Sequence, residues 1–297
     1  MVESALITLD RIEQPFFFYL HFMEPHTPYT YSDPGCKDRL EPYPDARLRQ
    51  IDHLPADEAA PIIDCMRMAY REESERVNRA ILTLVAELKQ RSLLDRTIIL
   101  VMSDHGQELW DHGHFDHGHA MWDEVVHVPC LLHVPSGLRD LFPEKEDSSL
   151  RSSIDILPTI LELVGIRASH PFPGLSLLTP SPANRFVFVE SMLYGQEIQA
   201  VIGKDMKYIY YTDQYFSNFP YDKQNPHPFK NHEPELFFLD QDPLESVNEA
   251  ASTPDIVDRM EKERLRFLHT SIYQPGEKDT TLSKEELQNL KSIGYLQ

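Results

Sequence analysis

The sequence predicts an α/β fold: a mostly parallel sheet flanked by helices, followed by a small α+β segment built on an antiparallel sheet. Three observations carry this. Phe16–His21, Ile98–Met102 and Pro129–Val134 are almost wholly apolar, as expected of strands covered on both faces. Between the first two lies a long stretch with helical periodicity. After a Pro-rich span, residues 171–182, the chain changes to short, aromatic, partly alternating runs, the pattern of antiparallel strands.

Taken in order, Phe16–His21 reads as a strand, with His21 a buried, hydrogen-bonded core residue, and Glu24–Tyr31 as the loop after it. Lys37–Ala59 is polar and broken by prolines, which predicts a surface excursion. Over Pro61–Arg91 the residues Val77, Ile81, Leu84, Val85 and Leu88 recur at helical spacing and form one apolar stripe, expected to pack on the sheet. Strands at Ile98–Met102 and Pro129–Val134 flank a His-rich loop. Asp155–Val164 follows as a helix with Pro158 near its first turn, where a missing N–H costs nothing. Beyond the Pro-rich boundary, strands are expected at Arg185–Glu190, Gln199–Gly203, Lys207–Thr212 and Glu235–Leu239. A last helix, Thr253–His269, has Thr253 as cap and Pro254 at its first position. The expected division is residues 1–180 and 181–297.

Composition sets bounds. Apolar residues make up 41% of 297, enough for a sizeable core. The formal net charge of -20 argues against nucleic acid as a partner. No apolar run approaches the ~18 residues of a transmembrane segment, and no basic-then-apolar leader precedes Glu3. The three cysteines are scattered and suggest neither a disulfide framework nor a zinc pattern.

The most informative stretch is Ser103-Asp104-His105-Gly106, continuing through Asp111-His112-Gly113-His114-Phe115-Asp116-His117-Gly118-His119. It leaves the carboxyl end of a predicted strand, where open α/β sheets place their ligands. Half of the fourteen histidines fall between His105 and His133. A carboxylate beside an imidazole can ligate a divalent metal, and further imidazoles can meet an anion's oxygens.

The segment from Thr97 to Pro135 resembles the signature of the sulfatases, a family of the alkaline phosphatase superfamily. Other segments agree in order: the run ending Pro25-His26-Thr27-Pro28-Tyr29, the Asp155-Ile156-Leu157-Pro158-Thr159 helix, the Asp242-Pro243-Leu244-Glu245 turn and the Leu282–Leu296 end. The resemblance implies an alkaline-phosphatase-like core over residues 1–180 and metal-dependent hydrolysis of a small or oligomeric sulfate ester. Asp104 and His105 are then metal ligands, with Ca²⁺ first and Mg²⁺, Mn²⁺ or Zn²⁺ as alternatives. His26 is a sulfate contact and general acid. His117 stands where many sulfatases carry a sulfate-binding Lys. His112 organises the loop, and His114 and His119, with His112, orient the ligands from behind. Glu24 and Tyr29 are candidate pocket residues. The family's paired Asp strand and its Cys-x-Pro-Ser-Arg segment, source of the formylglycine nucleophile, are absent from these 297 residues. The chain therefore resembles the carboxyl-terminal portion of a sulfatase, and the expected partner is the amino-terminal half, upstream or on a separate chain. The alternatives are a phosphoric or phosphonic ester hydrolase of the same superfamily, or a non-catalytic binding module. Location stays open, since complete relatives are often exported.

Overall fold

A 35-residue helix, α3 (Ala56–Gln90), organises the first part of the molecule. The computed structural model describes residues 2–43, 51, 54–142, 148–191, 195–216 and 233–270. α3 begins five residues before Pro61, so the proline sits inside its second turn and forfeits one backbone bond rather than starting the helix. Leu84 and Leu88 of the predicted stripe are buried and Val77, Ile81 and Val85 half-buried. Against α3 pack two short helices that sequence reasoning missed, α1 (Val2–Leu9) and α2 (Pro34–Leu40).

The predicted surface excursion is partly core. Asp33 caps α2 by accepting from the Gly35 N–H, and Cys36, Leu40 and Ile51 are buried against Ile62, Cys65 and Met66 of α3. Cys36 and Cys65 form a disulfide, against the expectation from cysteine count. Their 29-residue separation carries no local signal; α2 packing across α3 brings them together. Closing a loop of that length stabilises by about 3.5 kcal/mol in the chain-entropy account. Cys36→Ser is expected to lose about that much in urea unfolding. A loss below about 1 kcal/mol would show the bridge to be dispensable.

Phe16–His21 is extended but forms no ladder among the described residues, and Phe17 and Tyr19 are 85% and 72% exposed. A strand is fixed by its neighbours, and none pairs with it among the described residues. His21 is correspondingly half-buried, its Nδ1 bonded to the Tyr19 hydroxyl.

Strands β1 (Ile99–Met102), β2 (Glu108–Leu109), β3 (Phe115–Asp116) and β4 (Cys130–His133) follow, with the one-turn helix α4 (Asp123–Val126) between the last two. β1 and β4 pair antiparallel, Ile99 opposite His133 and Met102 opposite Cys130, so this ladder differs from the parallel one expected. A parallel return needs a crossover over the sheet face. Here the loop between holds only a hairpin and a single helical turn, and the chain comes back from the end at which it left.

After helix α5 (Ile156–Leu163), strands β5 (Val187–Ser191), β6 (Gly195–Ile202), β7 (Lys207–Phe216) and β8 (Glu235–Phe237) form an antiparallel sheet in sequence order. The period-two alternation sets its two faces. Val201, Tyr208 and Leu236 pack with Met260 of helix α6 (Pro254–Thr270). Ala200, Ile209 and Phe237 face the other way, onto Ala120, Met121 and Trp122, the segment that leaves the His-rich loop. The sheet thus supports that loop from behind. Thr253 stands at the start of α6, where its carbonyl accepts the Ile256 and Val257 N–H groups and its hydroxyl donates to the Glu249 carbonyl. No helix among the described residues is long and apolar enough to cross a membrane. The Leu282–Leu296 motif lies outside the described residues.

Candidate active site

Asp104 and His105 leave the carboxyl end of β1 in a turn pinned to α4. The Gly106 N–H donates to the Val125 carbonyl at 2.7 Å and the Gln107 N–H to the Glu124 carbonyl at 2.8 Å. A Cβ on Gly106 would lie 2.0 Å from the Glu124 oxygen, so only glycine permits this approach. The β2–β3 hairpin then carries the chain to Asp116, whose φ of 98° is a costly conformation for a residue with a side chain. His117 follows directly and stacks on His105.

Three imidazoles converge. The rings of His105 and His117 stack with centroids 3.9 Å apart, and His26 meets His117 edge-on at 5.6 Å. His26 arrives from the loop after Pro25, which is tied to α3 by buried Glu73. That carboxylate accepts the Thr30 N–H at 2.9 Å and the Thr30 hydroxyl at 2.6 Å. Burial opposes the ionised form, but the Thr30 bonds and Arg76 prevail and hold Glu73 below the usual carboxylate range.

Proton positions follow from partners that can only accept. His105 Nδ1 donates to the Gly106 carbonyl at 2.8 Å, and His26 Nδ1 to the Thr27 carbonyl at 2.6 Å. His117 Nδ1 faces Gln107 Oε1 at 2.9 Å and Asp116 Oδ1 at 3.0 Å. In each neutral ring, Nε2 is then the basic nitrogen.

The donor set suits a divalent cation. Asp104 Oδ2 lies 3.9 Å from His105 Nε2, too far for a hydrogen bond, and both atoms are lone-pair donors. Adjacent ligands of one cation bound at about 2.1–2.5 Å stand roughly 3–3.5 Å apart, so a small rotation closes the pair on a metal. Another group, Glu108, His112 and Glu124, gathers its ligand atoms within 4.8 Å. It suits a metal less well: His112 Nδ1 is 2.5 Å from Glu124 Oε1, and Nε2 is 3.0 Å from the Leu244 carbonyl. A ring that donates from both nitrogens has no lone pair to give.

The family model for "Sulfatase" matches residues 1–166, more than half of the chain. The chain belongs to the sulfatase family. Arylsulfatase K of Bos taurus is 28% identical over 200 residues, 62% of this chain and 33% of that protein. The chain thus spans about a third of the length of the curated relatives it matches. Among solved structures, the phosphonate monoester hydrolase of Agrobacterium radiobacter is similar with TM-score 0.65 and 17% identity, over 91% of this chain and 59% of that one. A complex described with its substrate D-glucosamine-2-N,6-O-disulfate is similar with TM-score 0.57 and 20% identity, over 79% and 47%. These likenesses establish an alkaline-phosphatase-like α/β fold.

In this sulfatase-family chain the structure brings together Asp104, His105, His117 and His26. His112, His114 and His119 take other partners in the same region, Glu124 and Glu108 among them. His119 Nε2 meets Glu108 Oε2 at 2.7 Å with both side chains buried, and Glu108 Oε1 accepts the backbone N–H groups of His112 and His114 at 3.2 and 2.9 Å. Burial alone would raise the Glu108 carboxyl; His119 and these bonds lower it instead. Tyr29 is buried in the α2–α3 core together with Trp110 and Phe115; burial raises its hydroxyl and the Asp116 charge adds to the rise. Glu24 is exposed. Sequence reasoning missed Gln107, Glu108, Asp116 and Glu124. Gln107, Glu108 and Glu124 act through partners across the loop, and spacing along the chain carries no mark of that; Asp116 acts on neighbouring His117.

Proposed function

We propose that the chain supplies the cation-holding and proton-donating side of a sulfatase site that hydrolyses sulfate esters of sugars. The observation that carries this is the meeting of His26 with His105 and His117, from loops about eighty residues apart, beside Asp104. His117, in its doubly protonated form, is assigned to donate from Nε2 to a sulfate oxygen. His26, with a proton on Nε2 as well as on Nδ1, is the general acid to the leaving alkoxide. Asp104 and His105 would hold a divalent cation, Ca²⁺ first by family, which supplies charge stabilisation for the sulfate oxygens. Two protein ligands fall short of the six to eight oxygens Ca²⁺ prefers, and no formylglycine segment occurs in the 297 residues. The remaining ligands and the nucleophile are therefore assigned to an amino-terminal portion, in the same or a separate chain. A sugar sulfate is favoured by the neighbour described with a disulfated glucosamine as substrate. The Cys36–Cys65 disulfide favours an oxidising compartment.

The similarity to a phosphonate monoester hydrolase supports a second reading, phosphonate ester cleavage at the same residues. One experiment separates them. The chain, alone and joined to an upstream sulfatase half carrying the nucleophile, is assayed on glucosamine 6-sulfate and on an aryl phosphonate monoester. The expected result is sulfate release by the joined protein only. Preference for the phosphonate would establish the second reading. Turnover by the isolated chain would overturn the division of labour.

A further inference from the structure

We propose that His112 is a positioning residue, an imidazolium pin through which the turn at Leu244-Glu245 sets the placement of the His105–His117 pair. The contacts form a continuous series. His112 Nε2 donates to the carbonyls of Leu244 and Glu245 at 3.0 and 3.3 Å, and Nδ1 donates to Glu124 Oε1 at 2.5 Å. The Glu124 carbonyl accepts the Gln107 N–H at 2.8 Å. Gln107 Oε1 accepts from His117 Nδ1 at 2.9 Å, and His117 stacks on His105.

The pin is held on its other sides too. Trp122 stacks on the His112 ring at 4.1 Å with 16° between planes, a flat contact suited to a cation over an aromatic face. The turn it grips is itself fixed. Glu245 adopts φ 50°, its Oε2 accepts the Asp123 N–H at 2.6 Å, and its Oε1 pairs with buried Lys207 at 2.8 Å. Lys207 also pairs with Asp123 at 2.5 Å.

Both ring nitrogens face atoms that can only accept, so both must carry protons. The charged groups around the ring are Glu124 and Glu108 on its own loop side, with Asp123, Glu245 and Lys207 behind. Their balance is acidic. Burial works against the charged ring, but the Glu124 bond and charge outweigh it and push His112 up to about 9. A base whose pKa rises on folding stabilises the fold below its ordinary value of about 6.5. That contribution is lost as pH climbs through about 9.

The histidine-labelled 297-residue chain, followed by nitrogen-detected NMR across pH, tests this. Expected is a doubly protonated His112 from pH 6 to 8, titrating near 9, with the His105 and His117 signals moving in the same step. In Glu124→Gln, which keeps the carbonyl to Gln107, the step should fall by at least one pH unit for all three residues. His112→Gln should abolish it at His105 and His117. A neutral His112 at pH 7, an unchanged step in Glu124→Gln, or His105 and His117 indifferent to the His112 titration would each overturn the proposal. The readout does not require that these imidazoles act on sulfate, so it fails or succeeds separately from the proposed function.

Discussion

Asp155→Ala is expected to lower the unfolding free energy by about 3–5 kcal/mol, the cost of stranding one member of a buried ion pair. Asp155 is fully buried. It receives Arg185 through two parallel bonds of 2.7 Å each, and accepts the Ser152 and Leu175 N–H groups at 2.9 and 2.7 Å. One carboxylate thus joins the start of α5, the Pro-rich span and the residue leading into β5. Gly174 lies in the same staple; a Cβ there would sit 2.0 Å from the Ile154 oxygen. Removing the carboxylate leaves the largely buried Arg185 guanidinium without its anion. Burial pushes the Asp155 carboxyl up, but Arg185 and the two amides prevail and hold it below the usual range. A carboxyl lowered on folding stabilises above its unfolded value, about 3.9, and that stability is lost as pH falls through the folded value. Urea midpoints of wild type and Asp155→Asn should therefore converge in strong acid and diverge above pH 4. A loss under about 1 kcal/mol for Asp155→Ala would remove the staple from the account.

Where a feature depends on local pattern, the sequence predicted it well. The stripe from Val77 to Leu88 needs only helical spacing, and α3 buries Leu84 and Leu88 of it and half-buries the other three. The aromatic alternation after residue 185 needs only period two, and the four antiparallel strands appear with Val201 and Ala200 on opposite faces. Features that depend on a distant partner were hidden. Phe16–His21 has strand composition, yet a strand requires a neighbour. Cys36 and Cys65 lie 29 residues apart, and only the packing of α2 on α3 pairs them. The direction of β4 follows from how the loop returns, not from its residues. At the site, Asp104, His105, His117 and His26 were legible because their motifs resemble a known family. Glu124 was not, since its carbonyl holds the turn after His105 while its carboxylate holds His112. Nothing in the letters Asp123-Glu124-Val125-Val126 announces either bond.

In the protein completed by an upstream half, His26→Ala should cut turnover of a sugar sulfate by about a hundred- to ten-thousand-fold, the range of a lost general acid. The same variant should do far less harm with an aryl sulfate whose phenolate leaves readily, because such a leaving group needs no proton. Asp104→Ala and His117→Ala should behave differently. Their assigned tasks, the cation for Asp104 and the sulfate for His117, are common to both substrates, so their losses should be alike on each, at about a hundred-fold or more, as when a preorganised charge partner is removed. His117→Ala should also displace His105, its stacking partner at 3.9 Å, whereas His170, exposed and bonded to neighbouring Ser169, should be replaceable by Ala without loss. The contrast between substrates is the deciding measurement, because general misfolding would depress both equally in every variant. Equal losses on sugar and aryl sulfate in His26→Ala would deny His26 the role of acid, and full activity in His117→Ala would place the sulfate contact on another residue.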